Sequence, residues 1–353
     1  MKNKIFLILT GLIFIACGCT NKSSQDDSLS INPEAGTTYK SGDVVAVKVH
    51  YAASLKPDSV VYLLDSVKIA SKKDSSELNL KTDTLKLGAK LITARVYSGG
   101  KSNEVSTNVI LLASKAPEEY TYKVVKVYPH DTSAYTEGLE YNDGYLYESG
   151  GNYGNSSLRK VDLATGKVVQ TTKLDPKYFG EGIAIVGDKI VQLTYREKVG
   201  FVYDKNTFKL LSTFDNNVGV EGWGMAFDGK KLYMDDKTNR IWFLNKDNYH
   251  QVGFIDVYDD KKAIDSVNEL EYVDGNLYSN VYTTDTILMI NPKTGAVLRR
   301  IDMKNLWPEA NRPADYDEVN NVLNGIAWDE KGKRLFVTGK KWPHLYQVEF
   351  VKK

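Results

Sequence analysis

An all-β chain is predicted, on three observations. Strand pairs bounded by glycine recur at a near-constant interval through the C-terminal two thirds. Short runs of alternating apolar and polar residues fill positions 31 to about 115. Tyr is abundant (23 residues) and Gly-centred turns are scattered along the chain, both of which favour strands. The 353 residues suit about two domains. Hydrophobic residues at 42% and charged residues at 26% give ample core material. Lys and Arg (46) balance Asp and Glu (45), which gives no electrostatic case for a nucleic-acid partner.

The N-terminus reads as an address. Met1 to Lys4 is a short basic start, and Ile5 to Ala16 is apolar apart from Thr10. That stretch is too short to span a bilayer but suits a signal-peptide core. Ala16-Cys17-Gly18-Cys19-Thr20 then resembles a bacterial lipobox, in which small residues precede a cysteine that is cut and lipidated. A lipoprotein signal peptide over 1–19 is expected, with lipidation at Cys19, because Ala16 and Gly18 take the small positions. Cys17 is the second candidate, and a plain secretory signal is the competing reading. The expected location is the bacterial cell envelope, periplasmic or outer-membrane, with membrane contact through the lipid alone. No cysteine follows position 19. The mature chain therefore has no internal disulfide, thiol nucleophile or Cys-based metal site. Residues 20–30 are polar except Leu29 and read as a flexible tether.

Residues 31–115 predict a small β-sandwich, immunoglobulin-like in its strand spacing. Asp43–Tyr51 and Ser59–Leu64 are alternating runs, and Lys90–Tyr97 with Glu104–Leu111 form a hairpin across Ser98-Gly99-Gly100. The Cys–Trp–Cys signature of immunoglobulin domains is absent. No polar cluster here points to chemistry, so a spacer or docking module is expected.

Residues 120–353 repeat one pattern: a Gly turn, an aromatic-bearing strand, then a second strand ending in a polar turn. Gly144, Gly187, Gly229, Gly275 and Gly332 open the repeats at separations of 43, 42, 46 and 57. Five repeats of about 47 residues match one four-stranded propeller blade each. One blade cannot cover both of its faces; closing the blades into a ring does, and it protects the sheet edges. A five-bladed β-propeller over 120–353 is predicted.

Such a ring gathers equivalent loops at one channel end. The segments before each repeat are Thr136-Glu137-Gly138, Gly180-Glu181-Gly182, Glu221-Gly222-Trp223-Gly224, Asn268-Glu269-Leu270 and Asn324-Gly325-Ile326. Glycine suits a strand start crowded against an axis. A ring of Glu137, Glu181, Glu221, Asn268 or Glu269, and Asn324 is expected. The convergence of acids leaves a structural cation such as calcium open for the channel. Any of Glu221, Glu269 and Glu271 can equally serve as an acceptor for backbone amides at strand starts. The four histidines (His50, His130, His250, His344) lack metal-ligand spacing, and His130 reads as a loop stabiliser.

These residues carry a resemblance. Phe-Gly-Glu-Gly (179–182), Glu-Gly-Trp-Gly (221–224), Asn-Glu-Leu-Glu-Tyr (268–272), Leu-Asn-Gly-Ile-Ala (323–327) and Leu-Phe-Val-Thr-Gly-Lys-Lys-Trp-Pro (335–343) occur in consistent order. With Pro129-His130-Asp131, Tyr135-Thr136-Glu137-Gly138-Leu139 and Tyr147-Glu148-Ser149, they resemble the plant and bacterial glutaminyl-peptide cyclotransferase family over about 120–353. The resemblance implies a five-bladed propeller and a metal-independent acyltransferase, with no required cofactor. It implies conversion of an N-terminal glutamine of a peptide or protein to pyroglutamate with loss of ammonia. By position it implies Glu181 as catalytic acid/base, with Asn268 and Lys340 lining the reacting amide. Tyr135, Glu137, Phe179, Tyr195, Trp223, Tyr282 and Asn324 are the expected substrate-binding residues. Three positions depart from the family pattern: Tyr195 and Tyr282 stand where Trp is common, and Glu137 where Gln is common. A monomer is expected. The alternative from another class is a non-catalytic propeller that binds peptides or glycans at its channel mouth.

Overall fold

The computed structural model describes residues 29–52 and 54–353. The predicted signal peptide, Cys19 and most of the predicted tether lie outside the described residues. Leu29 and Ser30, the last two tether positions, belong to the fold: Leu29 packs on the first hydrophobic core and Ser30 opens the first strand.

The described residues are all-β apart from one short 3-10 turn, Glu309–Asn311. Eight strands come first: β1 (Ser30–Asn32), β2 (Thr37–Lys40), β3 (Val44–His50), β4 (Ser59–Leu64), β5 (Val67–Lys72), β6 (Leu78–Lys81), β7 (Gly88–Ser98) and β8 (Lys101–Leu112). They form a sheet ordered β1-β3-β6 and a second ordered β2-β8-β7-β4-β5. The alternation in the sequence is what pairs them. Val45, Val47 and Val49 of β3 point inward with Val60 and Tyr62 of β4, Ile92 and Ala94 of β7, and Val109 and Leu111 of β8, in one shared core. The β7–β8 hairpin turns on Gly99 and Gly100, whose φ values of 54° and 74° suit a two-residue turn that only glycine adopts freely.

Twenty strands follow. β9 (Glu118–Pro129) precedes β10 (Thr136–Asn142), β11 (Tyr145–Gly150), β12 (Ser157–Asp162) and β13 (Val168–Lys173). Next come β14 (Gly180–Val186), β15 (Lys189–Thr194), β16 (Val199–Asp204) and β17 (Leu210–Asp215), then β18 (Met225–Phe227), β19 (Lys231–Asp235), β20 (Arg240–Asn245) and β21 (Gln251–Asp256). The last are β22 (Val267–Val273), β23 (Asn276–Val281), β24 (Thr286–Ile290), β25 (Val297–Asp302), β26 (Leu323–Asp329), β27 (Arg334–Gly339) and β28 (His344–Lys352). β10–β13, β14–β17 and β18–β21 are antiparallel sheets in chain order. β22–β25 and β26–β28 are joined through β9 into one sheet of eight strands.

Strand β9 pairs antiparallel with β28 along nearly its whole length and parallel with β25 over Glu118–Tyr120. The start of this region thereby completes the four-stranded set that its end begins, a closure the repeat pattern does not foretell. Apolar cores join each set to the next. Ile183 and Ile190 meet Tyr147 and Leu158; Ala184 and Leu193 meet Met225 and Leu232. Ala226 and Ile241 meet Leu270 and Leu288; Ile287 and Ile301 meet Ile326 and Val337. Leu139 and Leu146 meet Ala327 and Phe336, which returns the cycle to its first sheet. The first strand of each set is buried, and the outermost strands β13 and β17 are largely exposed.

The N-terminal sheets lean on the outside of this cycle through Leu87 N–H to Thr294 O (2.9 Å), Ala113 N–H to Asp259 O (3.0 Å) and the Lys86 ammonium to Phe254 O (2.7 Å).

Candidate active site

The inner strands approach each other too closely for side chains. A Cβ on Gly138 would lie 2.6 Å from Ile183 N, one on Gly182 2.5 Å from Met225 N and Trp223 O, and one on Gly224 2.6 Å from Asn268 O. This row of glycines sets the register. The residue before each is turned to a common cavity: Glu137, Glu181 and Trp223, with Asn268 following in the next strand.

That register corrects one expectation. Glu221 was expected in the ring, but the third segment enters it with Trp223. Gly222, the other candidate glycine, packs instead against Thr194 O. The Glu221 carboxylate is buried beside the cavity, where Arg196 (Nε 2.9 Å, Nη2 2.8 Å) and the indole Nε1–H of Trp223 (3.1 Å) donate to it. Glu269, offered as an equal choice with Asn268, turns into the channel and accepts the backbone N–H of Leu139 (3.1 Å) and Ile326 (2.8 Å).

The cavity measures about 320 Å³. It gathers the expected Tyr135, Glu137, Phe179, Glu181, Tyr195, Trp223, Asn268, Tyr282 and Lys340. Asn324 lies behind its wall, because its amide donates to Thr136 O (2.9 Å) and to the Glu137 carboxylate (3.4 Å). Lys237 and Ser266 also line the cavity and were not foreseen. Both are in the left-handed region (φ 81° and 61°), and Ser266 N–H donates to Lys237 O at 3.0 Å. Nothing in a lone lysine within Asp-Asp-Lys-Thr-Asn marks it as a lining residue; only the fold around it does.

The walls are aromatic. Tyr135 meets Phe179 edge-on (6.2 Å), Phe179 leans on Tyr195 (5.5 Å), and Trp223 meets Tyr282 edge-on (5.4 Å). At the floor, the Lys340 ammonium is 2.6 and 2.7 Å from the two oxygens of Glu137 and sits over the rings of Tyr135 (4.7 Å) and Tyr282 (5.2 Å). Both members of this ion pair are buried. Glu181 and the Asn268 side chain make no hydrogen bond to another described residue, and Asn268 Oδ1 is a buried acceptor without a partner. A buried acceptor with no partner is costly, so in a functional site it marks a place for a ligand donor.

Burial pushes the Glu181 carboxyl well above the ordinary carboxylate range; the Glu137 charge adds to this and the Lys340 ammonium opposes it. Burial likewise raises Glu137, against the pull of Lys340. The arrangement offers one buried carboxyl without a hydrogen-bond partner, one unpaired amide and one fixed ammonium within an aromatic box.

A second buried pair braces the floor. The ring nitrogens of His130 face two acceptors, Trp342 O (2.7 Å) and Glu148 Oε1 (3.0 Å), and Thr136 Oγ–H also donates to that carboxylate (2.7 Å). His130 thus ties the segment after Lys340 to β10 and β11.

For a cation in the channel, the test is the donor set. Among the described residues no group of three or more His, Cys, Asp or Glu is placed to hold a metal. The channel carboxylates of Glu140, Glu269 and Glu271 accept backbone amides.

Comparison with known proteins identifies the family. Positions 92–350 match the family model described as glutamine cyclotransferase, beginning inside β7, upstream of the repeats. A glutaminyl-peptide cyclotransferase of Arabidopsis thaliana is 39% identical over 232 residues, which is 64% of this chain and 70% of that relative. The crystal structure of Myxococcus xanthus glutaminyl cyclase aligns with a TM-score of 0.62 at 30% identity, covering 67% of this chain and 99% of that one.

Proposed function

The chain belongs to the glutamine cyclotransferase family, and from that membership we propose that its cavity converts the N-terminal glutamine of a peptide to pyroglutamate and releases ammonia. The α-amine attacks the carbon of the side-chain amide in the same residue. The ring C–N bond forms and the bond to the amide nitrogen breaks. One proton leaves the attacking amine, and one must reach the departing nitrogen.

Glu181 performs both transfers as base and then as acid. Burial and the Glu137 charge raise its proton affinity above that of an ordinary carboxyl, which favours its taking the proton from the attacking amine. Asn268 has an unpaired amide to hold the substrate amide. Lys340 donates one hydrogen bond to Glu137 Oε1 and lies 2.6 Å from Oε2, which leaves N–H capacity on the ammonium for the oxygen that becomes negative during attack. Tyr135, Phe179, Tyr195, Trp223 and Tyr282 enclose the folded side chain and exclude water, which brings amine and carbonyl together. Tyr keeps a flat wall at positions 195 and 282. These groups meet every need of the reaction, so the reading requires no cofactor.

The architecture supports five blades, with β9 completing the last, preceded by an immunoglobulin-like sandwich over 31–115 and the propeller over 120–353. The cyclic succession of inter-sheet cores favours the first, and the two sheets sharing one core favour the second. We place the protein in the bacterial cell envelope, lipid-anchored at Cys19 and monomeric, acting on peptide or protein N-termini. Metabolic labelling with a fatty-acid probe in wild type and Cys19→Ala tests the anchor; equal labelling would refute it.

The observation that carries the activity is Glu181, buried at the cavity floor with its carboxyl unbonded. Incubating the full chain with a Gln-initiated dipeptide and measuring ammonia tests it. Ammonia above blank supports the reading; none at micromolar protein favours a channel that only binds peptides or glycans.

A further inference from the structure

Four charged side chains line the cavity: Glu137, Glu181, Lys237 and Lys340. Glu137 and Lys340 cancel one another in their buried pair. Glu181 lies at the floor, where the glutamine side chain must reach. Lys237 remains. Its side chain is 51% exposed, and its nearest carboxylate oxygen, Glu221 Oε2, is 3.8 Å away, beyond hydrogen-bond distance.

The acids around it are engaged elsewhere. Glu221 takes Arg196 and the Trp223 indole. Asp236 takes Val220 N–H (3.1 Å), the Trp242 indole (2.9 Å) and the Thr238 hydroxyl (2.6 Å). Of the neighbouring cations, Lys198 binds Gly219 O and Val220 O, and Arg196 sits over the Tyr195 ring (4.5 Å) while pairing with Glu221. Lys237 is held in place by its own backbone: its left-handed conformation and the Ser266 N–H bond to its carbonyl fix where its stem starts. A half-exposed ammonium held only by a loose 3.8 Å ion pair with Glu221, on the lining of a cavity that takes a chain end, is set to meet the substrate residues next to that end.

We propose that Lys237 is a specificity-determining residue whose ammonium receives a carboxylate at the second or third residue of the substrate, so that acidic peptides are preferred. This rests on the cyclotransferase reading. The interaction is at a wet rim, so its size is that of an exposed ion pair and it weakens with salt.

The test compares kcat/KM for C-terminally amidated Gln-Glu-Ala, Gln-Ala-Glu, Gln-Ala-Ala and Gln-Lys-Ala, in the wild-type chain, Lys237→Met and Lys237→Glu, at low and high salt. One or both Glu peptides should exceed the Lys peptide by roughly two- to five-fold at low salt, mainly through KM. The gap should narrow at high salt, vanish in Lys237→Met and reverse in Lys237→Glu. Equal values for all peptides in wild type, or a preference that survives Lys237→Glu, would overturn the proposal while leaving the cyclotransferase reading intact. If no peptide releases ammonia, that reading fails. The same peptides are then compared by Kd, where equal affinities sink the charge preference as well.

Discussion

Glu137 and Lys340 form a buried ion pair in which both carboxylate oxygens lie within 2.7 Å of one ammonium. The negative charge that Glu137 brings near Glu181 thus comes with a cation pinned to it. The cavity thereby keeps a balanced floor, and Lys340 is held in place by a charged partner.

Glu137→Gln removes a charge that raises the Glu181 carboxyl. The acidic limb of the pH–kcat/KM profile should therefore move to lower pH, because Glu181 then loses its proton more readily. A profile that stays in place or moves to higher pH would contradict the proposed coupling between the two carboxyls.

Lys340→Met leaves Glu137 buried without its partner. Breaking a buried pair on one side costs about 3–5 kcal/mol, so the melting temperature should fall sharply along with turnover. Adding Glu137→Gln to Lys340→Met should restore much of the stability but not the turnover. Recovery of both in the double variant would mean that Lys340 acts only as a brace.

The His130–Glu148 pair makes stability depend on pH in two directions. Burial lowers the His130 pKa, but the Glu148 charge and the hydrogen bonds that the imidazole donates to Glu148 and Trp342 O outweigh it and hold the net value above 6.5. Burial raises Glu148, and the His130 charge and hydrogen bond reverse that, holding it below 4.5. The His130 contribution is complete below pH 6.5 and is lost as pH rises through its folded value. The Glu148 contribution is present above pH 4.5 and is lost as pH falls through its folded value. Unfolding followed against pH should show wild type losing stability on the alkaline side more steeply than His130→Gln. Parallel curves would mean that the imidazole is neutral in the fold.

The sequence disclosed what local chemistry determines. The repeat was legible because the turns that close the strand pairs need a left-handed residue: Gly144 (φ 88°), Gly187 (64°), Gly229 (85°) and Gly275 (90°) supply it. The places of Glu181 and Asn268 were legible in the segments that precede each repeat, whereas their roles, and Lys340 altogether, were legible only through the resemblance. Register was not legible at Glu221-Gly222-Trp223-Gly224. Two glycines compete there, and only the close approach of Gly224 to Asn268 O decides between them. The double pairing of β9 and the His130–Glu148 contact join segments whose meeting depends on the closed fold. Lys237 was hidden for the same reason.

The most direct test of the central claim is Glu181→Gln assayed for ammonia release from a Gln-initiated dipeptide, with melting followed on the same sample. The carboxyl makes no hydrogen bond to another described residue, and burial favours its neutral form. The amide should therefore fit with a nearly unchanged melting temperature. Turnover should fall by roughly a hundred- to ten-thousand-fold, the usual contribution of a positioned acid/base. Turnover close to wild type in a well-folded Glu181→Gln protein would contradict the account.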